Sequence, residues 1–475
     1  MSRLPATIPR ACDDQGFFAE PLDFLAATRA RMGDMFVLRE AAPLFSRSPN
    51  CAGVVVAFGA ERHRAVLGDI DSFGMPVSAA HHLTLPANLA NLNRGLHSMR
   101  GQEHASRRRI LSGILSASEL GRHHALLRQA LERGIARWQA ERAMGLLQAM
   151  RALAEQLSSC LLFGERHAAN EELLACLKDY FLLRREASSP ASSLAIPPAK
   201  LLAAGNALDS SLRSHVRHHR RIPASEGTGI FGKLAAVGLE SGEQMSEDEI
   251  VAHCNVSYIS STEPVAVSLT WILLILTQLP VLRRELRREI RAASAAPGPV
   301  AAAFDRRSLL DRVINEALRL FPPNAFMVRT TTRPTSLDDI RLPEDCEVVL
   351  CPLLAHRDAA SFADPGTFLP SRWERASPTP FEYFPFGAGG HSCVGRALAV
   401  PLLKLVLAFL LDRFDFTLAG DQAIDWRLHI LFLPRNDPSV LARPAEAVPA
   451  PAGTLAGPVA RLVDFSDSRL TPLYI

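Results

Sequence analysis

The sequence predicts a mainly α protein with a small β region, on three observations. From about residue 100 to 320 the apolar residues recur at helical spacing. Within that stretch, Ser246 to Pro280 opens with a capping box (Ser246 and Glu249) and stays apolar for most of its length, which suits a helix crossing a core rather than one on a surface. Strand-like and turn-rich runs are confined to the two flanks. With 475 residues, 48% hydrophobic and 21% charged, the chain can bury a large core. Length alone allows about three domains.

Taken in order, the first hundred residues mix short strand-like runs with turns. "GVVVAFG" (Gly53 to Gly59) is β-branched and bounded by glycine, so it reads as a strand. "SSPASSLAIPPAK" (Ser188 to Lys200) is a loop by composition, and "AKLLAAGNALDSSLRSHVRHHRR" returns to helical spacing. "RRELRREIR" (Arg283 to Arg291) and "RSHVRHHRR" (Arg213 to Arg221) read as solvated helix faces; a basic helix end also accounts for His215, His218 and His219 without a metal. After residue 320 come strands and turns, including the β-rich "RLPEDCEVVLCPLL", then a glycine-rich loop and the apolar helix "AVPLLKLVLAFLLDRF". The tail from about Pro444 is Pro/Ala/Gly-rich and is expected to pack loosely. There are no repeats.

A net charge of +3 gives no pull toward nucleic acid. The contiguous apolar runs, such as "WILLILTQLP", fall short of the roughly 20 residues of a membrane span, and the N-terminal stretch lacks the apolar core of a signal peptide, so a cytoplasmic protein is expected. Eight cysteines (12, 51, 160, 176, 254, 346, 351, 393) are scattered with no CxxC pair, which gives neither a disulfide framework nor a zinc cluster.

The densest chemical signal is "FPFGAGGHSCVGRALA", Phe384 to Ala399. One thiol, Cys393, stands among Gly387, Gly389, Gly390 and Gly395, which allow positive φ and close backbone approach. A buried structural thiol, half of a disulfide, a zinc ligand with His391, a nucleophile, or a ligand to something large and flat are the alternatives. A helix starting near Gly395 directs its N–H groups at the sulfur and favours a thiolate. A soft thiolate with clear backbone around it suits iron in a macrocycle; an inert turn cysteine leaves Phe386, the glycines and His391 unexplained.

The pattern Phe386-x-x-Gly389-x-His391-x-Cys393-x-Gly395-x-x-Leu398-Ala399 resembles the haem-binding loop of the cytochrome P-450 superfamily, with His391 where arginine is usual. Three further stretches match in order. "NEALRLFPP" carries Glu316-x-x-Arg319, which one helix face presents together, and "FLPSRW" supplies Arg372 as the third member of a structural triad. "GQEHASRRRIL" carries His104 and Arg108, and Arg329 follows "PPNAFMV"; the resemblance implies that these reach the haem propionates, and that His391 is a cofactor-binding member of the loop. Cys393 is then the iron ligand, haem b the cofactor, and Phe386 and Gly395 part of the haem-binding loop. The resemblance implies the cytochrome P-450 fold, one mainly α domain over residues 1–445, with haem between the long core helix and the Cys loop; residues 446–475 form a Pro/Ala-rich extension.

The chain departs from the family in the core helix. Counting back from "LTWILLILTQLP" sets Ser260-Ser261-Thr262-Glu263-Pro264 on the oxygen-pocket motif, so the acid is kept as Glu263 and the threonine is Pro264. A shifted register would make Thr262 the counterpart. Proline has no hydroxyl and no N–H, and it frees the carbonyl of Ser260. Ser260, Ser261, Thr262 and Glu263 are the candidates for ordering water and moving protons in place of the missing hydroxyl.

The function implied is a monooxygenase acting on a lipophilic small molecule, a natural product such as a terpenoid, polyketide or fatty-acyl compound. An isomerase, dehydratase or peroxygenase needing no electron donor is the alternative, because some such branches lack the threonine; a haem-binding sensor without turnover is the other. Family substrate stretches fall on the loop from Phe73 to Leu96, on Ser257–Val265, on Asn324–Val328 and on Leu431–Pro434, all largely apolar, with His81 and His82 among them. A ferredoxin or flavin-type donor is expected on the cysteine side, near Arg107, Arg109, Arg396 and Lys404.

Overall fold

A computed structural model describes residues 3–46, 48–76, 86–164, 168–187, 198–221, 229–238, 245–294, 308–428, 431–445 and 453–465. His81, His82 and most of the loop from Ser188 lie outside them. The principal helices are α1 (Asp14–Ala19), α2 (Pro21–Met32), α3 (Ala60–Gly68), α4 (Gly101–Ile114), α5 (Leu146–Phe163), α6 (Ala168–Ala187), α7 (Pro198–Arg221), α8 (Glu247–Thr277), α9 (Pro280–Ser294), α10 (Leu309–Leu320) and α11 (Arg396–Arg413).

The main sheet draws its strands from both ends of the chain. β1 (Met35–Glu40), β2 (Gly53–Ala57), β3 (Phe73–Gly74), β4 (Met327–Thr331) and β5 (Cys346–Leu350) lie in the order β1-β2-β5-β4-β3. β2 runs parallel to β5 with Gly53 opposite Cys346 and Val56 opposite Val349, and β4 runs antiparallel to β5 with Arg329 opposite Val348. Both faces of β2 and β5 are buried, so β2 is an unbroken apolar run, and the one charge on β5, Glu347, accepts the N–H groups of Leu44, Phe45 and Ser46.

Helix α8 crosses the core. Its capping box is formed: the Glu249 N–H donates to Ser246 Oγ at 3.1 Å, and the Ser246 N–H donates to Glu249 Oε2 at 3.0 Å. The helix packs most extensively on α5, and its Trp271 ring is stacked with Phe321 and Phe432 at 4.9 and 5.0 Å between centroids. At 31 residues it is long and apolar enough to cross a membrane, which the ten-residue run did not suggest; most of its apolar window is instead buried inside the protein.

Several expectations change. The first hundred residues also hold helices α1 to α3, marked by the Asp13 side chain accepting from Gly16 N–H and by Pro21 in the first turn of α2; these helices are short, so their period is hard to read. Pro198 to Lys200 belong to the first turn of α7 rather than to a loop. The basic helices are not simply solvated: Arg283 is buried against Asp415 at 2.9 Å, and the His215 ring contacts Asn170 at 3.2 Å. The tail is not loose over its described part. β6 (Phe414–Leu418) pairs with β8 (Ser439–Pro444), while β9 (Leu455–Ala456) adds in parallel to β7 (Gln422–Ala423). Val459 and Val463 are buried, and Phe368 N–H donates to Asp464 O at 2.9 Å. Buried apolar residues every four positions outweigh the Pro/Ala composition.

Candidate haem-thiolate site

The loop before α11 is closed by its own backbone. Cys393 N–H donates to Phe386 O at 2.7 Å, Ser392 N–H to Gly389 O at 3.1 Å and Gly387 N–H to Phe384 O at 2.9 Å. Gly389 sits at φ +67°, and a Cβ there would lie 1.8 Å from the Leu67 carbonyl oxygen, so nothing but glycine fits. Gly390 and Gly395, unlike Gly387 and Gly389, do not use positive φ. Gly390 is small because Ile70 packs over it, and a Cβ at Gly395 would face the Cys393 sulfur at 3.9 Å. The Arg396 guanidinium lies 5.6 Å from the Phe386 ring centroid.

Cys393 is exposed, yet its thiol is pushed up by surrounding protein; Gly395 and Arg396 N–H groups and the Arg108 charge pull the other way. A sulfur both accessible and crowded lines a hollow. Burial wins in the chain by itself, so the backbone does not make the thiolate unaided; a bound metal ion would deprotonate it.

Next to the sulfur stands a group of two arginines and two histidines. Arg108 on α4 donates to Ser392 O and Ser392 Oγ, both at 2.8 Å, tying α4 to the Cys loop. His104, one turn earlier, sets its ring 4.6 Å from that of His391. Arg329 on β4 is buried, and burial alone brings its guanidinium down to about 10. His391 is lowered to about 3 by burial and by Arg329, His104, His97 and Arg108. Among the described residues no carboxylate acts on this group; its one acidic neighbour is Cys393, beside Arg108. Nε2 of His104 and Nε of Arg329 are buried without hydrogen-bond partners. A buried guanidinium and a buried imidazole with orphaned nitrogens fit a ligand carrying carboxylates, as a haem does at its propionate edge.

On α8 the motif residues separate by face. Val256, Ser257, Ser260, Ser261 and Pro264 form a stripe that is exposed or half-buried, whereas the helix is buried from Val265 to Thr277. Thr262 is buried, and its hydroxyl is used up on the Tyr258 carbonyl at 2.7 Å; Ser261 Oγ donates to the same carbonyl at 3.2 Å. Glu263 is 4% exposed and turned toward α5, where Arg151 Nε donates to both carboxylate oxygens at 3.0 Å. Ser260, Ser261 and Pro264 therefore share the open stripe, whereas Thr262 and Glu263 do not. Arg151 carried no signal in the sequence, being an isolated arginine about 110 residues away.

Glu316 and Arg319 are fully buried on α10, with Arg319 Nε and Nη2 donating to the carboxylate at 2.9 and 2.8 Å. Arg372 Nε reaches Glu316 Oε1 at 3.2 Å, and Trp373 Nε1 and Leu369 N–H complete the shell at 2.9 Å each. Arg319 Nη1 also donates to the His356 carbonyl at 2.9 Å, while His356 Nε2 accepts Phe384 N–H at 2.9 Å. His356 thus connects the triad to the start of the Cys loop, and nothing in its sequence surroundings marked it. Arg107 and Lys404 leave the expected electron-donor face: Arg107 Nε is bonded to Glu249 at 2.8 Å, and Lys404 is buried with Asp311 at 2.6 Å. Arg109 and Arg396 are exposed.

The family model "Cytochrome P450" matches residues 37–438, so the chain belongs to the cytochrome P450 family, and its cofactor is haem. Among curated proteins it is 29% identical to cyclooctatin synthase of Streptomyces melanosporofaciens, over 76% of this chain and 79% of that one. It is 27% identical to pentalenene oxygenase of Streptomyces avermitilis, over 70% and 75% respectively. Among solved structures, retinoic acid bound cyanobacterial CYP120A1 superposes with a TM-score of 0.77 at 21% identity, covering 93% of this chain and all of that one, a likeness of fold.

Proposed function

We propose that this haem-thiolate monooxygenase inserts one oxygen atom from O2 into a lipophilic, terpenoid-like molecule, by hydroxylation or epoxidation, in natural-product biosynthesis. The observation that carries the site is Cys393, crowded yet accessible, beside two arginines and two histidines on which no carboxylate among the described residues acts. Bound haem supplies the dioxygen and electron-transfer chemistry. Cys393 Sγ holds the iron; His104, Arg108, Arg329 and His391 hold the propionates; Phe386 and Gly395 shape the loop around the sulfur. Ser260 and Ser261 offer hydroxyls on the open stripe of α8, where they order water and pass protons that a threonine at 264 would otherwise carry. Thr262 and Glu263 support that turn from its packed faces.

The substrate class rests on the relatives and the lining. One relative is an oxygenase named for the unsaturated hydrocarbon pentalenene; another, 25% identical, is cyclooctat-9-en-7-ol 5-monooxygenase. Two of the apolar substrate stretches meet, with Asn324 bridged to Leu431 and Phe326 buried beside them. Electrons come from a separate ferredoxin or flavin protein docking near Arg396 and Arg109, in the cytoplasm. With a surrogate ferredoxin system and 18O2, the product is expected to carry one labelled atom, and the reduced carbon-monoxide complex to show the red-shifted Soret band of thiolate ligation. Cys393→Ala retaining that band would remove the assignment. Pro264 favours a second reading, an isomerase or dehydratase; product formed without O2 and without a donor would select it.

A further inference from the structure

The residues that lead into the Cys loop, Phe381 to Phe384, are held by side chains from separate parts of the chain. His63 Nδ1 of α3 donates to the Phe381 carbonyl at 2.9 Å, and the Tyr383 hydroxyl donates to the Asn315 carbonyl of α10 at 3.0 Å. Phe384 N–H donates to His356 Nε2 at 2.9 Å. Both histidine rings stand edge-on to the Phe384 ring, at 5.0 and 5.1 Å between centroids. His356 differs in being fixed from behind: its own carbonyl takes Arg319 Nη1 at 2.9 Å. Its backbone is thus set by the arginine of the triad, and its ring sets the loop. From Phe384 the bonds continue to the sulfur. The Phe384 carbonyl accepts Gly387 N–H at 2.9 Å, and the Phe386 carbonyl accepts Cys393 N–H at 2.7 Å.

A ring nitrogen that accepts from a backbone N–H carries no proton itself, so His356 is neutral with its hydrogen on Nδ1. Burial first, then the charges of Arg319 and Arg357, hold the imidazole well below its ordinary pKa. Nδ1 is buried and has no hydrogen-bond partner among the described residues, a cost that an apolar ring would avoid. What the imidazole adds over such a ring is the acceptor for Phe384. We propose that His356 is a positioning residue for the iron ligand: acting through Phe384 and the loop backbone, Nε2 holds Cys393 Sγ where the iron must meet it. This role rests on the reading of Cys393 as that ligand.

Three variants separate the bond from the packing. His356→Phe keeps an aromatic ring beside Tyr383 and Phe384 but offers no acceptor. His356→Gln and His356→Met are matched in length, and of the two only the glutamine offers an oxygen near the place of Nε2. The reduced carbon-monoxide complex of each haem-loaded protein is followed in mild urea, with circular dichroism read in parallel. His356→Phe and His356→Met should lose the thiolate Soret band about tenfold faster than wild type, the scale on which bonds that orient a metal ligand act, while helical dichroism stays unchanged. His356→Gln should restore most of the lifetime. If neither the Phe nor the Met variant loads haem, 15N NMR of histidine-labelled wild-type complex decides: the ring signals missing from His356→Gln should be those of an Nδ1–H imidazole. Wild-type band lifetimes in the Phe and Met variants, band loss only in step with dichroism, a Gln variant no better than Met, or an Nε2–H ring would each overturn the role alone. Wild-type protein without the thiolate band would overturn the Cys393 reading and this role together.

Discussion

At residue 263 the acid of the oxygen-pocket motif is present but committed elsewhere. Glu263 is gripped by the Nε and Nη2 edge of Arg151, which is itself partly exposed. Arg151→Leu should strand a buried carboxylate and cost more than Glu263→Gln, which leaves an amide and a guanidinium that water can reach; a difference on the order of 1–2 kcal/mol in urea unfolding is expected. At residue 264 the missing hydroxyl makes proton delivery depend on Ser260, Ser261 and a well-seated substrate. Poor substrate analogues should therefore consume NAD(P)H and release peroxide. Pro264→Thr should raise product per NAD(P)H with those analogues and change little with the native substrate; uncoupling that persists unchanged with the analogues would move the proton path away from this turn.

At the scale of elements, α10 and the segment Phe368 to Trp373 are joined through one carboxylate. Glu316→Ala leaves Arg319 buried without its counter-ion, at a cost of about 3–5 kcal/mol, so haem-free or insoluble protein is expected; a fully loaded variant with wild-type urea stability would contradict that. Helix α8 brings a pH dependence of its own. Burial lowers His253 from 6.5 to about 4, with Arg107 and His97 adding to it and Glu249 opposing. The unfolded chain gains a proton there below 6.5 that the folded chain refuses until about 4. Stability should thus fall as pH drops through that window, by up to roughly 1.4 kcal/mol per unit, and His253→Phe should flatten the slope of urea midpoint against pH. The elements differ in how legible they were. The Cys loop, the Glu316 pair and the capped core helix were readable because each needs fixed residue types at fixed short spacing. Arg151, Trp373 and His356 act on them across long sequence gaps, through contacts that only packing creates. The serine stripe and the buried Thr262 differ by rotation about one helix axis, which a motif register alone does not resolve.

On the scale of the molecule, residues 453–465 strap the far end of α8 to the Glu316 triad. Gln278 Nε2 donates to Gly453 O at 3.2 Å at one end, and Arg357 Nη2 donates to Leu462 O at 3.0 Å at the other. Ending the chain after residue 452 removes Leu455, Val459 and Val463 from the core, worth roughly 1.5–3 kcal/mol each. A lower melting temperature and faster loss of haem are expected, while unchanged haem retention would make the strap dispensable. Electron transfer is also a property of the whole surface: with Arg107 and Lys404 withdrawn into ion pairs, Arg396→Glu should slow reduction by an acidic donor at low salt and lose its effect at high salt. The main sheet has one more consequence, for synthesis. Gly53 waits for Cys346 as its partner, and Arg108 waits for Ser392. At roughly 5–20 residues per second, a ribosome spends on the order of ten seconds between finishing α8 and supplying the Cys loop. Through that interval the helical half exists without the loop that carries Cys393, so capture of the cofactor by that sulfur is among the last events of the chain's making.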